Sequence, residues 1–418
     1  MRCLIQGISH DGQGVGRIDG KVVFVPGALP GEDVELTIGE EKKNYLRGRL
    51  SSIIEPAPER VNPPCPYFGQ CGGCHYQHAS YDLQVDLKTL VVEQTLQRIG
   101  GVDADILPCV PAVSPWRYRN KVTWHGAMVD EHWKFGYYRG ESNDIMDIDR
   151  CLLVSDAMQE AGRALGRALR KLNSREPVEA IVRESASGEI MTIVHGIDKE
   201  AGRKLRLQVD ELTDSFYLFD RKGIECLQEG RAFEERIAGI RFGLSPLSFF
   251  QVNREQAEKL VGMVQESLEL QGGEQVLDAY CGVGTLALSL AGRAKRLVGV
   301  ESFPTAVEDA RKNARLNGIS NCRFLAGPAE QILPTLSQRF DAVVLDPPRA
   351  GCQPQVIKAV ERMKIARVVY VSCEPSTLAR DLGRFQQAGY RVRKVQPIDM
   401  FPQTYHVETV VVMSRVGK

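Results

Sequence analysis

The sequence predicts an α/β protein in three parts: a small β-barrel, a central α+β region and a doubly wound sheet. Three observations carry this prediction. Residues 1–55 alternate short apolar runs with glycine and proline, as small barrels do. Residues 56–244 mix strands and helices behind a cysteine-rich loop. Over residues 245–418 strands and helices alternate in βα order, which is typical of a parallel sheet covered by helices on both faces.

Composition narrows the class of protein. The 418 residues carry 53 Lys and Arg and 53 Asp and Glu, so the formal net charge is zero. Any contact with nucleic acid must therefore come from a local basic face. No apolar run approaches the ~18 residues of a membrane span, and the first residues lack the apolar core of a signal peptide. We expect a cytoplasmic protein with no membrane association and no obligate protein partner.

In the N-terminal part the expected strands are Lys21–Val25, Val34–Ile38 and Tyr45–Ile54. The proline-rich stretch at 55–66 ends this unit. In the central part we expect a helix from about Tyr81 to Ile99, a second helix over 156–172, and strands near 179–185 and 190–196. In the C-terminal part the expected strands are QVLDAY, RLVGVES, CRFLAG, FDAVVLD, RVVYVSC, YRVRKVQPID and HVETVVVMSR.

Clustered cysteines predict a metal centre. Cys65, Cys71 and Cys74 follow a Cys-x5-Cys-x2-Cys spacing with glycines between them. Glycine lets the backbone turn around a metal and donate N–H groups to sulfur. Cys151, behind an acidic loop, is our expected fourth ligand. Four thiolates suit an iron–sulfur cluster or a zinc ion, and ordinary loop thiols are the third alternative. Six other cysteines lack such clustering and are expected to be small core residues: Cys3, Cys109, Cys226, Cys281, Cys322 and Cys352.

The segment VLDAYCGVGTLALSLA predicts a strand, a glycine turn and a helix, the arrangement that brings a ligand to a helix N-terminus. A glycine loop alone could serve a dinucleotide. Two acids favour S-adenosylmethionine (SAM) instead. Glu301 ends the next strand, 23 residues after Asp278, where it can hold ribose hydroxyls. Asp346 ends a later strand before a rigid Pro-Pro pair, at the crevice where such sheets bind ligands.

Cys373 is the candidate nucleophile. It stands where a strand stops and a helix begins, and a helix N-terminus is expected to lower the pKa of its thiol. Addition of a thiolate to carbon-6 of uracil makes carbon-5 nucleophilic enough to attack a methyl donor. Glu408, at the head of the last strand, could reach the same crevice and remove the carbon-5 proton. His406 is expected to orient its neighbours.

The segments SPLSFFQVN, LDAYCGVGTLAL, LDPPRAGC, VSCEPSTLARDL and HVET together resemble the RNA uridine-5-methyltransferases. The resemblance covers nearly the whole chain and implies an N-terminal TRAM domain, a 4Fe–4S site and a SAM domain. It implies Cys373 as the nucleophile and Glu408 as the base. Its implied SAM-site or active-site ligands are Gln251, Tyr280, Thr285, Glu301 and Asp346, and its implied cluster ligands are Cys65, Cys71, Cys74 and Cys151. One departure is Pro328, where the family often has an acid or amide, so the backbone N–H of Ala329 is expected to contact adenine instead.

The expected substrate is RNA, with 23S ribosomal RNA favoured and tRNA as the alternative, because the catalytic segments do not separate the two. Residues 114–125 interleave Trp116, Tyr118 and Trp124 with basic side chains, a pattern that suits stacking on bases. A strand over an aromatic core has the same pattern. Three other functions compete. They are an amino-methyltransferase, which needs no nucleophile, a radical or redox protein, and an inactive RNA-binding protein.

Overall fold

The structure is a computed structural model that describes residues 1–129, 131–172 and 176–416. Its N-terminal part is a closed five-stranded barrel in the order β1-β2-β3-β5-β4. The strands are β1 (Arg2–Ile8), β2 (Gly14–Ile18), β3 (Lys21–Val25), β4 (Asp33–Glu41) and β5 (Tyr45–Glu55). Alternate residues such as Ile5, Val23 and Leu36 fill the interior, because successive side chains of a strand point to opposite faces. The predicted barrel is confirmed.

The central part is a seven-stranded sheet in the order β12-β11-β10-β9-β6-β7-β8. Its strands are β6 (Lys121–Val129), β7 (His132–Tyr138), β8 (Ile145–Asp147), β9 (Val178–Glu184), β10 (Ile190–His195), β11 (Ser215–Asp220) and β12 (Gly223–Gln228). Two helices, α2 (Asp156–Leu172) and α3 (Lys199–Val209), belong to the same part. The apolar side of α2 packs on the sheet around Trp124.

Helix α1 (Tyr81–Thr95) precedes this sheet and continues into one π-helical turn over Leu96–Gly100. Ser80 caps its N-terminus. The helix packs against the C-terminal sheet, since Val92 and Leu96 lie in the same apolar cluster as that sheet's strands. A short hairpin, β13 (Glu234–Ile237) and β14 (Ile240–Gly243), leads into the last part. The division of the chain at residues 55 and 244 stays a prediction.

The C-terminal part is a seven-stranded sheet in the order β17-β16-β15-β18-β19-β21-β20. Its strands are β15 (Gln275–Ala279), β16 (Arg296–Glu301), β17 (Cys322–Ala326), β18 (Ala342–Leu345), β19 (Arg367–Ser372), β20 (Tyr390–Ile398) and β21 (Glu408–Arg415). Its helices are α4 (Arg254–Leu268), α5 (Thr285–Leu290), α6 (Pro304–Leu316), α7 (Ala329–Ile332), α8 (Pro354–Arg362) and α9 (Pro375–Gln387). Short 3-10 turns occur at Asp210–Leu212, Ala291–Arg293 and Leu333–Thr335.

Five strands of this sheet are parallel, and β21 runs antiparallel to both β19 and β20. The central strands are buried on both faces, since Val276 faces one apolar cluster and Leu277 the other. This is the burial expected of a doubly wound sheet, and the order reverses at β15, where ligands of such sheets bind. Within the described ranges, no helix has the length and apolar character needed to cross a membrane.

Candidate active site

The turn after β15 shapes the predicted SAM site. Tyr280, Gly282 and Gly284 all have positive φ, at 71°, 54° and 88°. Glycine takes this conformation at little cost, whereas Tyr280 is strained in it. The turn ends at the N-terminus of α5, and the buried carboxylate of Asp278 accepts a hydrogen bond of 2.9 Å from the N–H of Ala287 in that helix. The backbone therefore bends tightly over the end of the strand.

Glu301 ends the neighbouring strand β16 and holds this turn in place. Its carboxylate accepts hydrogen bonds from the N–H of Gly282 at 3.0 Å and the N–H of Phe303 at 2.8 Å. Ser302 donates a third bond at 2.9 Å. Glu301 thus joins the glycine turn to the start of α6, a structural task that the sequence does not reveal.

Five of the expected residues lie around one crevice. Gln251, Tyr280, Thr285 and Asp346 line the same cavity together with Asp278, and Glu301 reaches its rim through Gly282. Phe250 in this segment is a core residue, whereas Phe249 is 67% exposed beside the cavity. The structure thus brings four of the implied residues to one cavity, and Glu301 contacts its glycine turn.

The segment that carries Gln251 is anchored from both sides. The buried carboxylate of Asp309, on α6, accepts bonds from the hydroxyl groups of Ser245 and Ser248, each at 2.6 Å. The guanidinium of Arg183 donates to the carbonyl of Ser248 at 3.0 Å. These contacts fix the loop that closes over the glycine turn.

Asp346 stands between this cavity and the predicted nucleophile. Burial raises the pKa of Asp346 to about 7. Its negative charge in turn raises the pKa of Cys373 and of Glu408. Asp346 therefore borders both the cofactor crevice and the proposed reaction centre.

Cys373 and Glu408 come together through the antiparallel pair β19–β21. Ser372 pairs with Thr409, so the next position along the ladder places Cys373 opposite Glu408. Glu408 is 3% exposed and also pairs with Ile398 on β20. Burial raises the pKa of Glu408 well above its usual range, and Asp346 adds to this shift.

The expectation of a low thiol pKa at Cys373 is wrong for the protein without ligands. Burial raises its pKa to about 11, and the carboxylates of Glu408 and Asp346 raise it as well. Two nearby negative charges and desolvation together outweigh the helix N-terminus, because both disfavour the thiolate.

Sequence reasoning missed Arg349. Its positive charge lowers the pKa of Cys373 and of His406. The sequence could have indicated this residue, because Arg349 directly follows the Pro-Pro pair after Asp346. Its loop is tied down, because Thr377 donates to the Arg349 carbonyl at 2.9 Å and the buried carboxylate of Asp381 accepts from the N–H of Cys352 at 2.7 Å.

His406 lies in a cluster of rings. It packs on Tyr405 with ring centroids 4.3 Å apart and near Phe401 at 6.0 Å. Burial lowers the pKa of His406 to about 3, so the imidazole is neutral at pH 7. The expected role of His406 in orienting its neighbours stays a prediction.

The four expected metal ligands line one cavity of about 570 Å³. Residues 65–77 form a loop that we call the cysteine loop. It contacts the end of β7, where Gly72 donates to the carbonyl of Tyr138 at 3.1 Å, and Cys151 lines the same cavity. Within the part of the chain that the structure describes, no three or more His, Cys, Asp or Glu side chains are arranged around a single metal ion. The thiols surround a space and do not converge on one point.

Two further features of this cavity fit a bound anionic group. The buried Nε of Arg119 has no hydrogen-bond partner there, and the hydroxyl of Tyr137 lies within reach of the Cys151 thiol. The N–H of Gly73 points to the sulfur of Cys71 at 3.4 Å. Since buried polar groups are normally satisfied, a donor set of this kind suits a group with several sulfur acceptors.

Two of the three rings expected to stack on bases at residues 114–125 lie in the core, whereas Trp116 is half-buried. Trp124 is 1% exposed and lies nearly parallel to Phe135 and Tyr137. Tyr118 is also buried, and its hydroxyl donates to the carbonyl of Pro402 at 3.1 Å. These rings build a core, so the alternative of a strand over an aromatic core is correct for both.

A reversing parallel sheet, a glycine turn at its switch point and an acid at the end of the next strand are shared by dinucleotide-binding proteins and SAM-dependent methyltransferases. Comparison with known proteins narrows the class. The profile of the tRNA (uracil-5-)-methyltransferase family matches residues 233–416, and that of the TRAM domain matches residues 1–51. The chain belongs to the RNA (uracil-5-)-methyltransferase family.

Individual relatives cover almost the full chain. An uncharacterized RNA methyltransferase of Halalkalibacterium halodurans is 38% identical over 98% of this chain and 95% of its own length. Another, from Clostridium tetani, is 36% identical over 99% and 96%. The crystal structure of a tRNA (uracil-54, C5)-methyltransferase of Pyrococcus abyssi, with bound S-adenosyl-L-homocysteine, superposes with a TM-score of 0.78 at 28% identity, over 99% of this chain and 100% of its own. The family resemblance, the fold class and the enzyme class are confirmed.

Proposed function

We propose that this enzyme transfers the methyl group of SAM to carbon-5 of a uridine in RNA through a covalent bond between Cys373 and carbon-6. The observation that carries the proposal is the cross-strand position of Cys373 beside the buried Glu408. A nucleophile and a base on facing strand ends act on adjacent atoms of one ring.

SAM, when bound, supplies an electrophilic methyl group. In our proposal Glu301 binds the ribose, since its carboxylate has about four lone-pair sites and the bonds from Gly282, Ser302 and Phe303 take three of them. Gln251, Tyr280, Thr285 and Asp346 line the rest of the site. The contact between adenine and the N–H of Ala329 stays a prediction.

The reaction proceeds in three steps on the uracil ring. The thiolate of Cys373 forms a bond to carbon-6, and the electrons of the carbon-5–carbon-6 double bond move toward oxygen-4 as an enolate. Carbon-5 then takes the methyl group, and S-adenosylhomocysteine leaves with the electrons of the broken sulfur–carbon bond. Glu408 finally removes the carbon-5 proton, the double bond re-forms and the carbon–sulfur bond breaks to return the thiolate.

The charges around the site suit these roles. The raised pKa of Glu408 makes its carboxylate a strong base for a carbon-bound proton. Cys373 must lose its proton against a pKa of about 11, and Arg349 is the cation that favours the thiolate. A target base must leave its stack to reach this half-buried sulfur, and the exposed ring of Phe249 lies beside the crevice for it to stack on.

We propose that Cys65, Cys71, Cys74 and Cys151 hold a 4Fe–4S cluster. Zinc is the competing occupant, because four thiolates suit both groups. The buried Nε of Arg119, which has no hydrogen-bond partner in this cavity, favours a cluster, whose sulfur atoms accept hydrogen bonds. Four cysteine ligands leave no iron open for a substrate, so a cluster here stabilises the fold. Radical chemistry would need an open iron and is the weaker alternative.

Our preferred substrate is 23S ribosomal RNA, supported by the TRAM barrel and the cysteine set together. The solved relative acts on tRNA, so tRNA is the competing substrate. A cytoplasmic location and three domains at 1–55, 56–244 and 245–418 complete the proposal.

The test is methyl transfer from labelled SAM to unmodified large-subunit ribosomal RNA and, separately, to unmodified tRNA, with the product nucleoside identified. 5-Methyluridine in ribosomal RNA alone supports the full proposal, and 5-methyluridine in tRNA alone corrects the substrate. Methylated adenine in place of 5-methyluridine would favour an amino-methyltransferase and overturn the covalent mechanism.

A further inference from the structure

The loop that precedes Glu408 is held by the cysteine loop. We call residues 399–407, between β20 and β21, the base loop. Ile398 pairs with Glu408 across its foot, so the path of the base loop decides where the Glu408 carboxylate lies. Gln403 sits inside this loop, 2% exposed, with a φ of 69°. That conformation is unfavourable for a side chain other than glycine and persists only where the surroundings enforce it.

The surroundings of Gln403 are specific. Its carbonyl accepts hydrogen bonds from the N–H groups of His75 at 2.8 Å and Tyr76 at 3.0 Å. These two residues directly follow Cys74. Cys74, the third proposed cluster ligand, is therefore joined by its own peptide bond to His75, which binds the base loop directly.

Gln84 of α1 completes the contact. Its side-chain carbonyl accepts from the N–H of Gln403 at 3.0 Å, and its amide donates to the side-chain carbonyl of Gln403 at 3.1 Å. The same amide lies 3.1 Å from the carbonyl of Tyr76. Gln84 is 1% exposed, so each of these bonds is shielded from water and costly to leave unmade.

Other contacts on the base loop hold its ends. Asp399 pairs with the buried Lys88 and accepts from the hydroxyl of Tyr81 at 2.7 Å. Asn253 donates to the carbonyl of Met400 at 3.2 Å. Hydrogen bonds at Gln403 join the middle of the base loop to the cysteine loop, and the ring of His75 also packs on Tyr405 with centroids 4.5 Å apart.

We propose that Gln403 and Gln84 form a clamp through which the cysteine loop positions Glu408 for proton removal. Gln403 is a positioning residue, since it touches neither substrate nor cofactor. This inference rests on the proposed function, in which Glu408 is the base. It adds that the cysteine loop acts on the last step of the reaction and not on methyl transfer itself.

The clamp predicts a specific kinetic defect. When Glu408 is misplaced, Cys373 still attacks and carbon-5 still takes the methyl group, but the proton stays on carbon-5. A methylated covalent adduct between protein and RNA then accumulates. A general loss of structure would instead slow every step together.

The experiment compares Gln403→Gly, Gln84→Met, Glu408→Gln and Thr213→Val with the wild-type enzyme. Glycine accepts the positive φ, and methionine keeps the volume and helix propensity of Gln84. Thr213 is a buried residue in the segment before β11, bonded to Thr192 of β10 at 3.0 Å and away from the base loop. The readouts are labelled methyl in the covalent adduct, the rate of product release, the KM for RNA, SAM affinity and iron content.

We expect both clamp variants to accumulate labelled adduct and to release product roughly 10- to 100-fold more slowly. KM, SAM affinity and iron content should stay at wild-type values. Thr213→Val should show no adduct. If Gln403→Gly does not fold, Gln84→Met carries the same test with Gln403 in place.

Two results would overturn the clamp. One is wild-type release by both variants while Glu408→Gln accumulates adduct. The other is a parallel loss of adduct formation, methyl transfer and release, as for a structural residue. If Glu408→Gln itself accumulates no adduct, the proposed function fails and the clamp with it.

Discussion

Cys373 and Glu408 lie opposite each other at the end of an antiparallel strand pair, although 35 residues separate them in the chain. The thiol pKa of Cys373 is raised to about 11, in part by the Glu408 carboxylate. Burial raises the pKa of both members of the pair, because it disfavours their charged forms. Asp346 affects both groups and connects them to the cofactor crevice.

Removal of the nucleophile should abolish the reaction. We expect Cys373→Ala to lower methyl transfer by roughly 10⁴-fold and to form no adduct with RNA that contains 5-fluorouridine, whose fluorine cannot leave as a proton does. The wild type should form this adduct. Cys226→Ala, at an exposed thiol of β12, is the control and should match the wild type. Adduct formation by Cys373→Ala, seen on a denaturing gel, would refute the role of this thiol.

Alkylation of Cys373 should report its raised pKa. Because only the thiolate reacts, the alkylation rate of the free enzyme should rise about tenfold per pH unit between pH 7 and 9. Arg349→Ala should slow alkylation at each pH, since Arg349 lowers the pKa of Cys373. Peptide mass spectrometry with iodoacetamide measures the rate at this one residue. A rate that is already constant above pH 7 would contradict the raised pKa.

Ionisation of the Asp346 carboxyl should lower the free energy of unfolding at neutral pH. Its pKa is about 7 in the folded protein and about 3.9 in an unfolded chain. Between these values the folded state binds more protons, so its free energy of unfolding falls as pH rises through about 7. We expect Asp346→Asn to raise the free energy of unfolding by on the order of 2 kcal/mol at pH 8 and little at pH 4.

Urea unfolding at the two pH values measures this difference. Asp103→Asn, on the exposed surface, serves as the control and should shift neither value. Equal effects of Asp346→Asn at pH 4 and pH 8 would show that ionisation of this carboxyl is not the cause. The same variant should lose methyl transfer, since Asp346 lines the cofactor cavity.

Loss of one cysteine ligand should affect the fold more than the chemistry. We expect Cys71→Ala to lose most of its iron and to unfold at lower temperature or bind RNA more weakly. The rate of methyl transfer at saturating RNA should change less. Iron analysis, thermal unfolding and RNA binding measure these effects, with Cys226→Ala as the matched control. A stable variant that binds RNA and SAM normally but cannot methylate would contradict a structural role.

Glu301 should matter for SAM affinity. Gln in its place retains one carbonyl acceptor where the carboxylate has two oxygens that bind Gly282 and Phe303. We expect Glu301→Gln to weaken SAM binding about tenfold while the chain stays folded. Calorimetric titration with SAM tests this, and Glu308→Gln, at an exposed position of α6, is the control. Unchanged affinity would remove Glu301 from the binding site.

Much of the fold follows from local pattern. Helix α2 spans Asp156–Leu172 as the apolar periodicity predicts, and the strands of the C-terminal sheet fall where apolar runs meet glycine or acidic residues. The sequence predicts the glycine turn and the acid at Glu301 for the same reason. Each depends on residues next to one another in the chain.

Other features depended on groups distant in the chain. The sequence places Cys373 at a helix N-terminus, but only the packing of Glu408 and Asp346 around it raises the pKa of its thiol. The sequence predicts a stacking surface at Trp124 and Tyr118, but in the folded protein β7 and the base loop cover both rings. The bonds from the cysteine loop to Gln403 have no sequence signature, because backbone N–H groups make them.

The sequence by itself determined the order of strands and helices, the family and the candidate residues for the reaction, since periodicity, turn residues and short motifs are local. The tertiary structure decided the raised pKa of the Cys373 thiol, the burial of Trp124 and Tyr118 and the contact between the cysteine loop and the base loop. Desolvation and charge–charge interaction depend on distance in space, and residues far apart in the chain supply both.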